Sequence, residues 1–253
     1  MKAIILAGNK DKDILSDEGK SKALVKIHGK PMVLYVIEVV KQLDFIDKIA
    51  IVGDKNGLLF LKQHVDVIIE QGDSLEDNIL RGCKYFDKNE DVLILTCDIP
   101  LITADAITDF VQDAKQLKAD FCYPVVSREH SEKKYPGVHR TFVKLKDGTF
   151  TGGNIVLVNN EVIQQSIPKA AMFLAYRKKP WKLARILGLS FVIKFLLGSL
   201  TIAELEQKVS GIFGIKAKAV VSSWPEIGTD VDKKSDLVLA ENVLAGRFIN
   251  ETK

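Results

Sequence analysis

Nothing in this chain provides for a disulfide framework or a thiolate metal site. The only three cysteines, Cys83, Cys97 and Cys122, are odd in number and lack metal-ligand spacing. Free thiols in a reducing cytoplasm are the expectation. Charge of one sign is scarce as well: the formal net charge is +3, and no basic run is interleaved with aromatic residues. That is too weak a bias to argue for nucleic acid, and no nucleic-acid partner is expected. Long apolar runs are missing. The stretch 186–197 follows Arg185 and is interrupted by Lys194, well short of the about 20 apolar residues a membrane span needs. The apolar region at the N-terminus is too short for a secretory signal. There is no G-x-G-x-x-G, and although Gly19-Lys20-Ser21 resembles the end of a P-loop, position 14 is Ile14. Internal repeats and low-complexity linkers are also absent.

What is present is an alternation of strand-like and helix-like segments. Apolar runs at 2–6, 48–52, 65–70, 92–98, 120–125 and 216–221 predict strands. Between them, 31–43, 57–64, 74–86, 103–117 and 234–245 predict helices, with Pro31 at a first helical position and Ser74 and Thr103 as caps. The expected fold class is α/β: a doubly wound, mostly parallel, Rossmann-like sheet. Two β-like runs at 138–145 and 150–158 flank Asp147-Gly148 and predict a hairpin. A helical insertion is expected at 161–211 within a single domain spanning 1–253.

Asp98 is the point where chemistry is expected. It follows the run Val92-Leu93-Ile94-Leu95-Thr96-Cys97, and Pro100 forces the chain out of the sheet just after it. A carboxylate there emerges at the carboxyl edge of the strands, where open α/β sheets bind ligands. Ala7-Gly8 ends the first strand with side chains small enough for backbone N–H groups to approach a phosphate. The following loop, from Asn9 to Lys22, is rich in lysine and aspartate. Gly152-Gly153-Asn154 permits close approach of a ligand to backbone, with Asn154 as both donor and acceptor. Arg140 lies in the predicted hairpin and could hold an anionic group.

Two separated segments resemble a known family. Met1 to Gly8, then Lys22-Ala23-Leu24-Val25-Lys26-Ile27-His28-Gly29-Lys30-Pro31-Met32, is similar to the opening of the GT-A-type, MobA-like nucleotidyltransferases. Asp230-Val231-Asp232-Lys233-Lys234-Ser235-Asp236-Leu237 resembles that family's Asp-x-Asp-x-Pro-x-Asp-Leu ending. The resemblance implies transfer of NMP from an NTP to a phosphorylated small-molecule acceptor, with release of pyrophosphate. It implies Lys22 as the catalytic cation, backed by Lys20, and Ala7, Gly8 and Asn9 around the triphosphate. Asp98 and Asp230, or Asp232 in place of Asp230, would be metal ligands. Carboxylates, phosphate and water around one hard cation suit magnesium. Gly72, Asp73 and Asn78 resemble the base-facing segment of cytidylyltransferases, a slight lean to CTP. In this fold Arg140, Gly152, Gly153 and Asn154 would face the acceptor.

The chain departs from the family pattern at Asn9, where a second glycine is usual, and lacks the arginine expected shortly after. Lys10 or Lys12 could replace its charge but not its bidentate geometry. A nucleotide-binding protein of the same fold with impaired catalysis is therefore the alternative reading, and a GT-A glycosyltransferase a weaker one. The insertion carries a basic stretch at 176–185 followed by an apolar one. It reads first as a buried helical cap or homodimer surface, and after that as a surface for a membrane or a lipid-like acceptor.

Overall fold

Aliphatic and β-branched runs that are apolar on both faces form the middle of the sheet. The computed structural model describes residues 1–8, 21–138, 140–175 and 186–247, the side chains of 168–175 excepted. Its first half runs β1 (Lys2–Ala7), a 3₁₀ turn (Lys22–Leu24), β2 (Lys26–Ile27), β3 (Lys30–Pro31) and α1 (Met32–Val40). Then come β4 (Lys48–Gly53), a second 3₁₀ turn (Leu59–Gln63), β5 (Val67–Glu70), α2 (Leu75–Tyr85), β6 (Asp91–Thr96) and α3 (Ala104–Gln116). The second half holds β7 (Phe121–Ser127), α4 (Arg128–Lys134), β8 (Val143–Leu145), β9 (Gly148–Gly152) and β10 (Ile155–Asn159). It ends with α5 (Asn160–Ala175), α6 (Leu189–Leu196), α7 (Ile202–Phe213), β11 (Ala217–Ser222), a third 3₁₀ turn (Pro225–Gly228) and α8 (Lys234–Leu244).

Nine strands make one mixed sheet in the order β5-β4-β1-β6-β10-β7-β9-β8, with β11 beside β7. β5, β4, β1 and β6 are parallel, as strands joined by crossover connections are. β1 is the centre of that half, with Ile4 opposite both Ala50 and Ile94. β10 then enters antiparallel between β6 and β7, and β11 adds parallel to β7. Alternate residues of the strands feed two apolar layers. Ile5, Leu93 and Leu95 pack with Val33, Val36 and Ile37 of α1 and Ile107 and Phe110 of α3. Ile4, Val52 and Ile94 pack on the other face with Cys83 and Phe86 at the end of α2. Each such buried aliphatic side chain contributes about 1.5–3 kcal/mol.

The predicted caps are formed: Ser74 accepts from the N–H of Asp77, and Thr103 from that of Ala106. The Asp147-Gly148 hairpin is present between β8 and β9. Some boundaries differ from the expectation. The segment expected to be a helix at 57–64 is a 3₁₀ turn from Leu59 to Gln63. The run 150–158 is not one strand, because Gly153 and Asn154 leave the ladder. The Gly153 N–H donates to the Pro124 carbonyl (2.9 Å) and that of Asn154 to Ile227 (2.8 Å). β9 therefore pairs with the end of β7, and β10 with its beginning. Asn9, Lys20 and the basic stretch 176–185 lie outside the described residues.

Candidate active site

The central strands end together at one edge of the sheet, and three acidic residues meet just beyond it. β6 closes at Thr96, and the turn that follows carries Asp98. The loop between the third 3₁₀ turn and α8 carries Asp230 and Asp232. A backbone bond from the Val231 N–H to the Asp98 carbonyl (2.9 Å) ties these distant segments together. Asp98, Asp230 and Asp232 each present an oxygen within 4.8 Å of the others. One carboxylate oxygen of Asp98, Oδ1, is buried and accepts no hydrogen bond.

Neither Asp230 nor Asp232 caps α8. Asp236, in its first turn, does that work: its carboxylate accepts from the N–H groups of Asp232 (3.1 Å) and Lys233 (3.2 Å). Asp236 is 3 % exposed, so the hydrogen bonds offset the cost of burying its charge. This leaves the Asp230 and Asp232 side chains directed at the cluster.

Lys22 closes the cluster from the β1 side. The Ser21 hydroxyl donates to the Ala7 carbonyl (3.0 Å) and its oxygen accepts from the Ala23 N–H (3.3 Å). Ser21 thus pins the first 3₁₀ turn against the end of β1. From there the Lys22 ammonium reaches Asp98 Oδ2 (2.7 Å) and Asp232 Oδ1. Burial works against its charge, but the two carboxylates outweigh that and hold its pKa above the ordinary lysine range. Asp230 is pushed the other way, up to about 6, by burial and then by its Asp232 and Asp98 neighbours; Arg140 opposes the rise. Arg140 donates from Nη1 to Asp230 Oδ1 (2.6 Å) and from Nη2 to the Asp230 carbonyl (2.9 Å). Expected to hold an anionic ligand, this arginine instead holds Asp230 with both outer nitrogens. Its buried Nε has no partner.

The expected acceptor residues do gather at one place. Arg140, Gly152, Gly153 and Asn154 line a cleft of about 410 Å³ together with Tyr123, Asp230 and Asp232. The paired glycines have a packing reason of their own. A Cβ on Gly153 would stand 2.6 Å from Ile227 and 2.7 Å from Pro124, and one on Gly152 only 2.1 Å from the Tyr123 hydroxyl. Tyr123 was missed from sequence. Its only signal is the alternation along β7, which turns it to the side of the cleft; burial, then the charge of Asp230, raises its pKa.

The expected nucleotide residues lie at the end of β1. A Cβ on Gly8 would meet Asn78 Nδ2 at 2.5 Å and Gln71 Oε1 at 3.2 Å, so the turn before α2 seats directly on Gly8. Asn78 is buried, and its Oδ1 accepts from the Gly72 N–H (2.7 Å). It braces this turn, while Asp73 stands exposed.

The site fits a hard divalent cation. It offers carboxylate oxygens only, clustered within one coordination sphere's reach, and one of them is buried and unsatisfied. With Lys22 beside it, the arrangement can neutralise a polyphosphate and hold it against a neighbouring acceptor cleft.

Comparison with known proteins places these features. Residues 3–183 match the profile of the MobA-like NTP transferase domain. The match includes Lys22 and Asp98; Asp230 and Asp232 lie beyond it. A protein of Thermococcus kodakarensis named a probable molybdenum cofactor guanylyltransferase is 26 % identical over 163 residues, 64 % of this chain and 77 % of that protein. A hypothetical transferase structure from Thermus thermophilus superposes with a TM-score of 0.83 at 34 % identity, covering 93 % of this chain and 98 % of that one. The 4-diphosphocytidyl-2C-methyl-D-erythritol synthase of Anaerococcus prevotii shares the fold, with a TM-score of 0.62 at 14 % identity over 96 % of this chain and 95 % of that one.

Proposed function

Because this chain belongs to the MobA-like NTP transferase family, we propose that it transfers NMP from an NTP to a phosphorylated small molecule, with Lys22, Asp98, Asp230 and Asp232 as its centre. The observation that carries this reading is the meeting of three carboxylates and Lys22 at the sheet edge, from segments more than two hundred residues apart at the extremes. In the reaction a phosphate oxygen of the acceptor forms a bond to the α-phosphorus. The bond from that phosphorus to the bridging oxygen of the β-phosphate breaks, and pyrophosphate leaves with the electron pair. The chain's task is to align the two substrates and neutralise charge. Lys22 supplies a fixed ammonium for the α-phosphate oxygens, on which charge develops. Arg140 keeps Asp230 in place from the acceptor side, Gly152 and Gly153 leave room there for the acceptor, and Asn154, whose N–H groups turn to the Ile227 carbonyl, offers it the amide oxygen. Asp98, Asp230 and Asp232 would hold magnesium. When bound, it would supply Lewis-acid charge at the triphosphate.

The name of the relatives points to GTP and a molybdenum cofactor acceptor, whereas Gly72-Asp73 leans to CTP. Asn78 does not choose between the bases: its amide oxygen accepts from the Gly72 N–H, and its Nδ2 stands beside Gly8. The test is to incubate the protein with each NTP, magnesium and a panel of phosphorylated acceptors that includes molybdopterin, and to follow pyrophosphate. Release with one NTP and acceptor, lost in Lys22→Met and Asp98→Asn, supports the reading. Tight NTP binding without product from any pair supports the impaired nucleotide-binding alternative.

A further inference from the structure

We propose that α6 is an interfacial anchor that seats this protein on an anionic phospholipid bilayer. The helix lies beyond the region matched by the family profile, which ends at residue 183. One side of it packs: Phe191 lies against the small cluster of Leu145, Phe150 and Leu200 under the β8–β9 hairpin. Among the described residues nothing covers the opposite side. Leu189, Ile193 and Leu196 recur at helical spacing, and Leu197 follows as the C-cap. Leu189, Leu196 and Leu197 are 71 %, 76 % and 72 % exposed. Lys194, the helix's only charge, turns away from this face to Glu204 of α7 (2.5 Å). The outer face is left entirely apolar, which is costly in water without a partner.

Charge decides which partner. In the sequence, residues 162–203 hold seven Lys and Arg and not one Asp or Glu; Lys194 is the one of the seven whose side chain is described. The whole chain has 36 Lys and Arg against 33 Asp and Glu, so the remainder is net acidic. A second copy docked through this face would bring two like-charged segments together, which opposes a homodimer. An apolar helix face within a purely cationic stretch matches the layered chemistry of an anionic bilayer: hydrocarbon below, phosphate above. No helix among the described residues is long and apolar enough to cross a membrane; the proposal is contact with its surface. The acceptor cleft lies close by along the chain, since Thr151 and Gly152, which line it, directly follow Phe150 on β9.

The test is co-sedimentation of the full chain with vesicles of phosphatidylcholine alone and of phosphatidylcholine with an equal part of phosphatidylglycerol. Expected is at least about tenfold stronger partition to the anionic vesicles, falling steeply as salt is raised. Leu196→Ser/Leu197→Ser, which adds no charge at two exposed positions, should lower that partition about tenfold or more while leaving circular dichroism and thermal unfolding unchanged. Equal binding to both vesicle types, no binding to either, or anionic binding that survives the double substitution overturns the proposal. So does a solution dimer, seen by light scattering, that the same substitution dissolves. None of these readouts depends on nucleotide turnover, so the anchor and the proposed reaction stand or fall separately.

Discussion

Replacing Asp230 by asparagine should make this protein more stable and less active. In the folded chain the Asp230 carboxyl has its pKa raised from 3.8 to about 6, first by burial and then by Asp232 and Asp98. A raised carboxyl pKa means that the folded state holds the proton more tightly than the unfolded one. Relative to its protonated form, the ionised group therefore costs stability, a cost absent below about pH 4 and complete above the folded pKa of about 6. The rise corresponds to about 3 kcal/mol at full ionisation. Asp232, with its side chain 61 % exposed, can swing toward water and relieve part of the repulsion, so about 1–2 kcal/mol is the expected gain. Asparagine keeps an oxygen for Arg140 Nη1, and Nη2 still reaches the Asp230 carbonyl, so the arginine is not stranded. In a metal-free buffer at pH 8 the variant should unfold about 2–8 °C higher than the parent. At pH 4 the two should coincide. Activity with magnesium at pH 8 should fall by about a hundredfold or more, since a ligand and its charge are gone. The reasoning fails if the variant is less stable at pH 8, if its advantage persists unchanged at pH 4, or if turnover survives.

Other outcomes can be checked alongside. Lys22→Met should lower kcat about 10²–10³-fold while leaving NTP binding measurable by calorimetry, because its charge acts where charge develops. Magnesium at about 100 times its Kd should stabilise the parent by about 2.7 kcal/mol in thermal unfolding, and Asp98→Asn should remove most of that gain. Gly153→Ala should cost about 1–3 kcal/mol by urea titration, because the added methyl meets Ile227 and Pro124 at 2.6 and 2.7 Å. Burial pushes the thiols of Cys83 and Cys122 up to about 12 and about 11. Both should therefore resist iodoacetamide at pH 8 in the native protein and react once it is unfolded in urea.

Stability and function pull apart at this site for one reason. Three carboxylates brought within 4.8 Å repel each other; Lys22 and Arg140 offset part of that repulsion, and packing elsewhere in the fold sustains the rest. The buried layers around Ile4, Ile5, Leu93 and Ile94 have no part in chemistry, but they hold the strand ends in register. The direct tie is the backbone bond from Val231 to the Asp98 carbonyl.

Much of this was legible along the chain because it depends on neighbours. Strand against helix follows from apolar period, the caps at Ser74 and Thr103 from side chains that bond three residues on, and the hairpin from Asp147-Gly148. Asp98 could be placed at a strand end because Pro100 cannot extend a sheet. What local sequence could not decide were contacts between distant segments. The run 150–158 looks continuous, yet Pro124 and Ile227 take its backbone at Gly153 and Asn154 and split it into two strands. Arg140 has the charge to bind an anion, and only its distance from Asp230 shows that it is already engaged. Asp236, rather than Asp232, serves the first turn of α8, a choice between two like residues made by three-dimensional placement. The apolar face of α6 has the composition of a core helix. That it faces outward was decided by which side of the helix the β8–β9 hairpin covers. Hydrophobic period tells a helix which side is oily; only the packed structure tells it what, if anything, lies against that side.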